Sequence, residues 1–359
     1  MYNIYSLIMA GGSGTRFWPR SREKKPKQFL SVFGKETLAQ SSINRFLPLT
    51  PKENIYIISK SIQQEEIARQ NLTINPENVI YEPTGKNTLP CIGLAALFLH
   101  KKDPDGIIVV SPSDHMIDNQ PLFRETIHAA CRIAEEYNGI VTIGITPSFP
   151  STGYGYVRTD TEIDPGTDIK AYKVKRFVEK PDIETARQYC STGEYFWNSG
   201  IFVFKCSVLW DAIQKYAPDI YNSLKEIGSH IGTPQFNDEL NRIYNAIDGI
   251  SIDYAIMEKA DNVYLVKGDF IWNDLGGWEQ VYELTDKDEF KNATVGNVLL
   301  ENTENSYVYS QNGIIALMGV KDMLVVQDGN ATLVCKRERS EDIKKLVERL
   351  KLNGFNEYI

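Results

Sequence analysis

The first 145 residues alternate between short apolar runs and segments with helical spacing, and this alternation limits the fold more than any other feature of the sequence. The apolar runs lie at residues 4–10, 54–59, 106–114 and 139–145, and the helix-like segments lie at 37–47 and 88–100. Strands separated by helices predict a mostly parallel sheet with helices on both faces. Ligands on such sheets bind beyond the carboxyl ends of the strands.

The pattern changes twice further along the chain. After residue 145 the strands, loops and helices are mixed, and from about residue 293 short apolar runs are split by Asn, Gly and Asp. This second pattern, from about residue 293, is typical of a small β structure with tight turns. A terminal helix is expected to begin at Ser340 as its N-cap and to end at Asn353-Gly354. We therefore predict two domains, residues 1–290 and 291–359.

Composition and charge narrow the class of protein. The net charge is -8, whereas general nucleic-acid binders are more often basic, so no nucleic-acid partner is expected. The five cysteines are scattered without a CxxC pair, which favours reduced thiols in the cytoplasm over a zinc site. The N-terminus lacks the features of a signal peptide, and no apolar run reaches membrane-spanning length, so no membrane partner is expected.

A glycine-rich, basic loop follows the first apolar run, AGGSGTRFWPRSREKKPKQFL at residues 10–30. Gly12 and Gly14 begin a dinucleotide fingerprint, but Phe17 stands where its third glycine is required, and no Walker pattern is present. Glycine amides, the Arg16 guanidinium and the Lys27 ammonium could still hold phosphate oxygens. A tight turn with solvated basic side chains explains GGSGTR alone equally well.

The whole stretch closely resembles the signature of the sugar-1-phosphate nucleotidyltransferases, and its FWP and PKQF elements resemble the mannose-1-phosphate guanylyltransferase branch. The resemblance implies a Rossmann-like, GT-A-like nucleotidyltransferase fold, a mixed and mostly parallel α/β sheet with a small β-helix-like C-terminal addition. It implies that Arg16 and Lys27 are catalytic, stabilising charge on a nucleoside triphosphate. The loop residues expected to bind the nucleotide are Ala10, Gly11, Gly12, Gly14 and Thr15.

A second nucleotide-binding loop is implied at EPTGKNT, residues 82–88. Asn87 or Thr88 can also cap the following helix, which by itself would explain the polar residues. Glu82 could accept hydrogen bonds from the N1–H and N2 edge of guanine, although backbone groups could do the same. The residues expected to bind the nucleotide here are Glu82, Pro83, Gly85, Asn87 and Thr88.

Two aspartates are candidates for a magnesium site. Asp114 follows the most apolar run in SPSDH, and Asp274 stands in FIWNDLGGW. Mg²⁺ prefers one or two carboxylates completed by phosphate oxygens and water. Taken alone, Asp114 is more commonly explained as a cap of the following turn, and Asp274 can be explained by a polar turn. The resemblance assigns both to the catalytic metal, with Mg²⁺ as the expected cofactor.

Three further segments resemble the family's sugar-1-phosphate pocket: TGYGYVR, FVEKP and NSGIF. Each alone is explained by a turn or a strand end, but all three occur in the family's order. The substrate-binding residues implied are Gly153, Tyr154, Gly155, Glu179, Lys180 and Asn198.

The resemblance, which spans residues 4–350, predicts an enzyme that transfers GMP from GTP to α-D-mannose 1-phosphate, giving GDP-mannose and pyrophosphate. The attack is expected to be in line and without a covalent intermediate. A sister transferase acting on another hexose phosphate or nucleotide, such as a glucose-1-phosphate thymidylyltransferase or uridylyltransferase, remains an alternative, and a non-catalytic regulatory subunit is another. We also expect a single activity, because no isomerase segment follows residue 359, and a homodimer if strand edges of the β addition pair.

Overall fold

A computed structural model describes residues 2–359 and shows a nine-stranded mixed sheet with two small β layers at the C-terminal end. The strands of the first 290 residues are β1 (Ile4–Met9), β2 (Ile55–Lys60), β3 (Val79–Glu82), β4 (Ile107–Pro112), β5 (Met116–Ile117), β6 (Ile140–Ile145), β7 (Tyr156–Ile163), β8 (Ala171–Val178), β9 (Tyr195–Lys205), β10 (Val263–Gly268) and β11 (Trp272–Asn273). The order in the large sheet is β3-β2-β1-β4-β9-β6-β10-β8-β7.

The strand directions explain why the sheet is mixed. Strands β1 to β4 pair in parallel, as do β6 and β10, but β9 runs antiparallel between β4 and β6, and β8 runs antiparallel to β7 and β10. The predicted fold class, a mixed and mostly parallel sheet, is confirmed. Because β1, β4 and β6 are covered on both faces, their side chains are almost continuously buried, as their apolar runs indicated.

Helices cover both faces of the sheet. They are α1 (Leu38–Phe46), α2 (Gln64–Arg69), α3 (Thr88–Lys102), α4 (Gln120–Tyr137), α5 (Ile183–Thr192), α6 (Cys206–Tyr216), α7 (Pro218–Ser229), α8 (Phe236–Ala246), α9 (Trp278–Leu284) and α10 (Ile343–Leu352). One apolar core lies between the sheet and α3, α6, α7 and α8, and a second lies between the opposite face and α1, α4 and α5. This places the carboxyl ends of β1 and β4 at one edge, where ligands are expected.

The C-terminal addition is a short coil of mostly parallel strands. Its strands are β12 (Ala293–Val295), β13 (Val298–Glu301), β14 (Tyr307–Ser310), β15 (Ile315–Met318), β16 (Met323–Asp328) and β17 (Ala331–Lys336). Successive strands alternate between two layers, with β12, β14 and β16 in one and β13 and β15 in the other, as in a β-helix. A third apolar core joins this addition to Phe17 and Trp18 of the glycine-rich loop.

The terminal helix begins later than the sequence predicted. Residues Arg337–Asp342 form a 3₁₀ turn, and α10 starts after it, so the prediction of Ser340 as the N-cap is wrong. Ser340 is buried within that turn, a tighter form that commonly precedes an α-helix. The predicted end is confirmed, because Asn353 closes the helix and Gly354 adopts a φ of 80°.

Candidate active site

In the glycine-rich loop that follows β1, several backbone carbonyl groups accept hydrogen bonds from side chains of the protein itself. The buried Gln28 side chain donates from Nε2 to the carbonyl oxygens of Ala10 and, at 3.2 Å, of Gly12. Ser21 Oγ donates to the Gly14 carbonyl oxygen at 2.7 Å. Within residues 2–359, none of the backbone amides of residues 11–16 donates to another group. The loop therefore presents a run of free N–H groups, which is what an anionic ligand requires.

Lys27 connects this loop to both candidate aspartates. Its side chain is only 5% exposed and packs against Gly14, whose φ of 57° and missing side chain make room for it. Lys27 Nζ donates to Asp114 Oδ2 at 2.8 Å and to the Asp274 carbonyl oxygen at 2.7 Å. The structure thus brings together three of the residues that the resemblance assigned to catalysis.

A two-residue strand pair holds Asp114 and Asp274 near each other. Strand β5 follows Asp114 and β11 precedes Asp274, and the two strands pair antiparallel. Leu275 takes a left-handed φ of 47°, a strained conformation for a leucine that is more common near functional sites. The Tyr154 hydroxyl donates to Asp274 Oδ1 at 2.9 Å, which orients that carboxylate.

The charge state of this centre follows from burial and from Lys27. Burial raises the pKa of Asp114, but the Lys27 charge outweighs this effect and leaves the pKa below its usual value. Burial lowers the pKa of His115, whose Nδ1 accepts a hydrogen bond from Trp272 Nε1 at 3.2 Å. At neutral pH the site therefore contains an ionised Asp114 beside a neutral imidazole.

Arg16 lies at the mouth of the same cleft. Its half-exposed guanidinium pairs from Nε with Glu341 Oε2 at 2.7 Å. The cleft encloses about 330 Å³ and is lined by Ser13, Gly14, Thr15, Arg16, Phe17, Lys27, Asp114, His115, Asp274, Gly276 and Lys344. All four residues predicted to be catalytic therefore line one cavity, together with Lys344 of the C-terminal segment, which the sequence did not indicate.

The EPTGKNT loop lies beside the glycine-rich loop. Glu82 ends β3 with 2% exposure, and its Oε2 accepts a hydrogen bond from the Tyr244 hydroxyl at 2.7 Å. Its Oε1 faces Gly11, where an added methyl group would come within 2.6 Å. Burial raises the pKa of Glu82. Asn87 caps α3 by accepting from the Thr88 amide at 2.8 Å, so Pro83 and Gly85 lie in a loop held at both ends.

The three segments assigned to the sugar phosphate also meet. A side chain at position 155 would collide with Glu179. The Gly155 carbonyl oxygen accepts a hydrogen bond from the backbone N–H of Asn198 at 2.8 Å. Lys180, at a positive φ of 47°, donates from Nζ to Glu179 Oε1 at 2.6 Å. Gly153 precedes them, and its amide donates to Ser151 Oγ at 3.1 Å. The result is a cluster of polar side chains at the edge of the sheet, which Tyr154 connects to Asp274.

The Asn198 side chain is largely occupied within the protein. Its Oδ1 accepts from the Thr142 hydroxyl at 2.8 Å and from the Gly200 amide at 3.2 Å. Its Nδ2 donates to Asp253 Oδ1 at 2.9 Å. Asn198 can thus offer little more than one remaining N–H to a ligand, and its main contact orients Asp253.

Asp253 is a further candidate site residue that the sequence did not indicate. It begins a π-helical turn, Asp253–Met257, of the kind often found at functional sites. Burial, with a further contribution from Glu179, raises the pKa of Asp253 to about 6. The surrounding sequence, SIDYA, matches no pattern that would identify a buried carboxylate. The hydrogen bond from Asn198 in the structure does identify it.

Replacing Asp253 by asparagine is expected to stabilise the protein at pH 7.5 by about 1–3 kcal/mol. The folded-state pKa near 6 lies above the unfolded value, so stability is greatest at low pH and falls as pH rises through 6. Asparagine removes the buried charge yet can still accept from Asn198. Thermal unfolding at pH 7.5 and at pH 4.0 measures the difference, which should be small at the lower pH, because that pH lies close to the ordinary aspartate pKa of 3.8. Glu184→Gln, at an exposed helical position, is the control, and an equal gain at both pH values would contradict the assignment.

Comparison with known proteins identifies the family. The Nucleotidyl transferase family model matches residues 5–291, and the MannoseP isomerase/GMP-like beta-helix domain matches residues 296–350. A mannose-1-phosphate guanylyltransferase of Klebsiella pneumoniae is 39% identical over 362 residues, covering 99% of this chain and 75% of that protein. One from Escherichia coli strain K12 is 39% identical over 364 residues, with the same coverage.

Solved structures agree with the sequence comparison. A structure from Thermus thermophilus, described as a mannose-1-phosphate geranyltransferase, is 30% identical with a TM-score of 0.86, covering 97% of this chain and 99% of that chain. One from Helicobacter pylori, described as a mannose-6-phosphate isomerase, is 26% identical with a TM-score of 0.60, covering 76% of this chain and 99% of that chain. The chain therefore belongs to the nucleotidyl transferase family, within its group of mannose-1-phosphate guanylyltransferases.

Proposed function

We propose that this protein transfers GMP from GTP to α-D-mannose 1-phosphate, forming GDP-mannose and releasing pyrophosphate. The observation that carries the proposal is the position of Lys27, which contacts Asp114 and the Asp274 backbone beside a loop of unpaired amides. The relatives named mannose-1-phosphate guanylyltransferase, which align with 99% of this chain, indicate which nucleotide and which sugar phosphate the enzyme uses. The Arg16, Lys27, Asp114 and Asp274 side chains are all in place, which argues against a non-catalytic regulatory subunit.

The chemistry requires little beyond positioning and charge neutralisation. The phosphate of mannose 1-phosphate is anionic at neutral pH, so no general base is needed to form the nucleophile. The main barrier is the approach of two polyanions, which cationic side chains and oriented amides reduce. Arg16, Lys27 and the amides of residues 11–16 would hold the triphosphate for in-line attack at its α-phosphorus. No covalent enzyme intermediate is required.

The carboxylates in the cleft fit a magnesium ion. Among residues 2–359, no group of three or more His, Cys, Asp or Glu side chains could form a complete metal cage. Two carboxylates completed by phosphate oxygens and water are instead the arrangement that Mg²⁺ favours. Asp114 and Asp274 would hold the ion, with Tyr154 orienting Asp274. When bound, Mg²⁺ would neutralise charge on the reacting phosphates.

The other polar groups of the site suit the sugar of one substrate and the base of the other. Lys180 would neutralise the sugar phosphate, while Glu179 and Asp253 can accept hydrogen bonds from hexose hydroxyls. Asn198 holds Asp253 in place for this task. On the nucleotide side of the site, Glu82 Oε1 faces the glycine-rich loop and could accept hydrogen bonds from the N1–H and N2 edge of guanine. The adenine edge lacks the N1–H and N2 donors, so this contact would favour GTP over ATP.

A substrate panel tests the proposal. Pyrophosphate release would be measured for GTP, ATP, UTP and dTTP, each with mannose 1-phosphate or glucose 1-phosphate. We expect the highest kcat/KM for GTP with mannose 1-phosphate, and loss of turnover when EDTA replaces Mg²⁺. Faster turnover of glucose 1-phosphate with UTP or dTTP would favour the sister-transferase alternative. Undiminished turnover in EDTA would contradict the magnesium assignment.

Assembly and location are proposed on separate grounds. The β addition exposes Leu299, Met318 and Val334, which could be covered by a second copy, and light scattering of the purified protein would report a homodimer. The five cysteines are unpaired, which supports a reducing cytoplasmic location. None of the helices described within residues 2–359 combines the length and apolar character needed to cross a bilayer.

A further inference from the structure

The C-terminal segment contacts the glycine-rich loop at several points. Trp18 Nε1 donates to the Tyr358 carbonyl oxygen at 2.7 Å, and Lys351 pairs with Glu23 at 3.0 Å. Helix α10 and the preceding 3₁₀ turn pack directly on Thr15–Phe17. The loop that would grip the triphosphate is therefore supported by residues from the end of the chain.

A further contact of the C-terminal segment involves Arg16, a residue proposed to bind the triphosphate. Arg16 Nε lies 2.7 Å from Glu341 Oε2, with the two side chains 45% and 60% exposed. Ion pairs at such exposure are weak, because water and salt screen them. A nucleoside triphosphate carries several negative charges and offers better acceptors for a guanidinium fork than one exposed carboxylate does. Arg16 can thus exchange Glu341 for a triphosphate at small cost.

Lys344 brings a further positive charge to the same cleft. It stands three residues after Glu341, in the first turn of α10, and lines the cavity that Lys27, Asp114 and Asp274 also line. Within the described residues 2–359, Lys344 has neither an ion pair nor a hydrogen bond from its side chain. A cation without a partner that lines this cleft is suited to binding anionic oxygens.

We infer that the segment 341–344 completes the triphosphate site: Lys344 is a further triphosphate-binding residue, and Glu341 is the counter-ion that Arg16 releases when the nucleotide binds. The inference rests on the proposed function and extends it to the C-terminal domain. That domain then supplies part of the site as well as supporting it, and the two side chains act in opposite directions on nucleotide affinity.

The first test replaces Lys344 by methionine, with Lys345→Met as the matched control on the same helix. Lys345 instead pairs with Asp342. We expect the KM for GTP to rise about 5–20-fold in Lys344→Met, the effect of one charged hydrogen bond in a partly exposed site. The KM for mannose 1-phosphate should be unchanged. Equal KM values for GTP in the two variants would overturn the role of Lys344.

The second test replaces Glu341 by glutamine, with Glu338→Gln as the control, since Glu338 pairs only with Lys336. Release of an exposed ion pair should lower the KM for GTP by about 2–5-fold. A rise in that KM would show that Glu341 supports Arg16 instead of competing for it, and would overturn the exchange.

A binding measurement separates this inference from the proposed function. The Kd of inorganic triphosphate with Mg²⁺, measured by calorimetry on the full chain, should increase in Lys344→Met and decrease in Glu341→Gln. These shifts are expected whichever nucleotide and sugar phosphate the enzyme uses. If the substrate panel fails but the shifts appear, the site assignment stands and only the substrates are wrong. Unchanged Kd values in both variants would reject the inference even if the panel succeeds.

Discussion

Replacing Asp274 by asparagine is expected to lower kcat by about 10²–10³-fold, the usual effect of losing one group that stabilises transition-state charge. The fold should persist, because asparagine keeps the Oδ1 acceptor for the Tyr154 hydroxyl and the backbone carbonyl that binds Lys27. What disappears is the negative charge, and with it one of the two carboxylates proposed to hold Mg²⁺. Steady-state kinetics at saturating GTP and mannose 1-phosphate measure the loss, and circular dichroism confirms the fold.

Two further variants show whether the charge or its orientation matters. Tyr154→Phe removes only the hydrogen bond to Asp274 and should reduce kcat by much less than Asp274→Asn does. Asp269→Asn changes an exposed aspartate five residues earlier, which pairs with Lys267, and serves as the control for nonspecific effects. Near-normal turnover in Asp274→Asn would show that this carboxylate is not part of the catalytic machinery.

The parts of this fold that could be predicted are those where a short sequence decides a local structure. The runs around β1, β4 and β6 are apolar without interruption because both faces of each strand are covered, and that pattern is visible in sequence. The position of Asp114 just beyond β4 followed from the same reasoning. The contacts of the glycine-rich loop were less visible, since Gln28 acts on carbonyl groups 16 and 18 residues away.

Other parts depend on contacts between distant segments. Strand β9 enters the centre of the sheet antiparallel, although its sequence reads as an ordinary apolar strand with a turn. The meeting of Asp114 and Asp274 depends on β5 and β11, each of two residues, which are too short to show periodicity. Asp253 was missed for a similar reason, because its environment is formed by Asn198 and Glu179 from other elements.

The C-terminal contribution to the site could not be predicted at all. The sequence places Glu341 and Lys344 more than 300 residues after Arg16, in what looks like an ordinary amphipathic helix. Only the packing of the third apolar core, which joins Phe17 and Trp18 to the β addition, brings them to the cleft. Charged residues on a helix surface carry no local sign of such a role, because their partners are set by tertiary structure.

Replacing Lys27 by methionine is expected to lower kcat by about 10²–10³-fold and also to destabilise the fold. Methionine fills a similar volume but removes the cation that contacts Asp114 Oδ2 and the Asp274 carbonyl oxygen. Asp114 would then keep its charge without a partner in a site where its side chain is 29% exposed. We expect a loss of about 1–2 kcal/mol in the free energy of unfolding, less than for a fully buried pair because water still reaches the carboxylate. Thermal and denaturant unfolding measure it, and Lys24→Met, at an exposed position in the same basic stretch, is the control.

The double variant Lys27→Met with Asp114→Asn separates the two effects. Removing the unpaired carboxylate should restore much of the lost stability, because the cost comes from leaving one charge without its partner. It should not restore turnover, since the same change removes a proposed magnesium ligand. Recovery of both stability and activity would mean that Lys27 serves only to neutralise Asp114. Recovery of neither would mean that its contact with the Asp274 backbone dominates, so that Lys27 holds the two halves of the site together rather than balancing their charge.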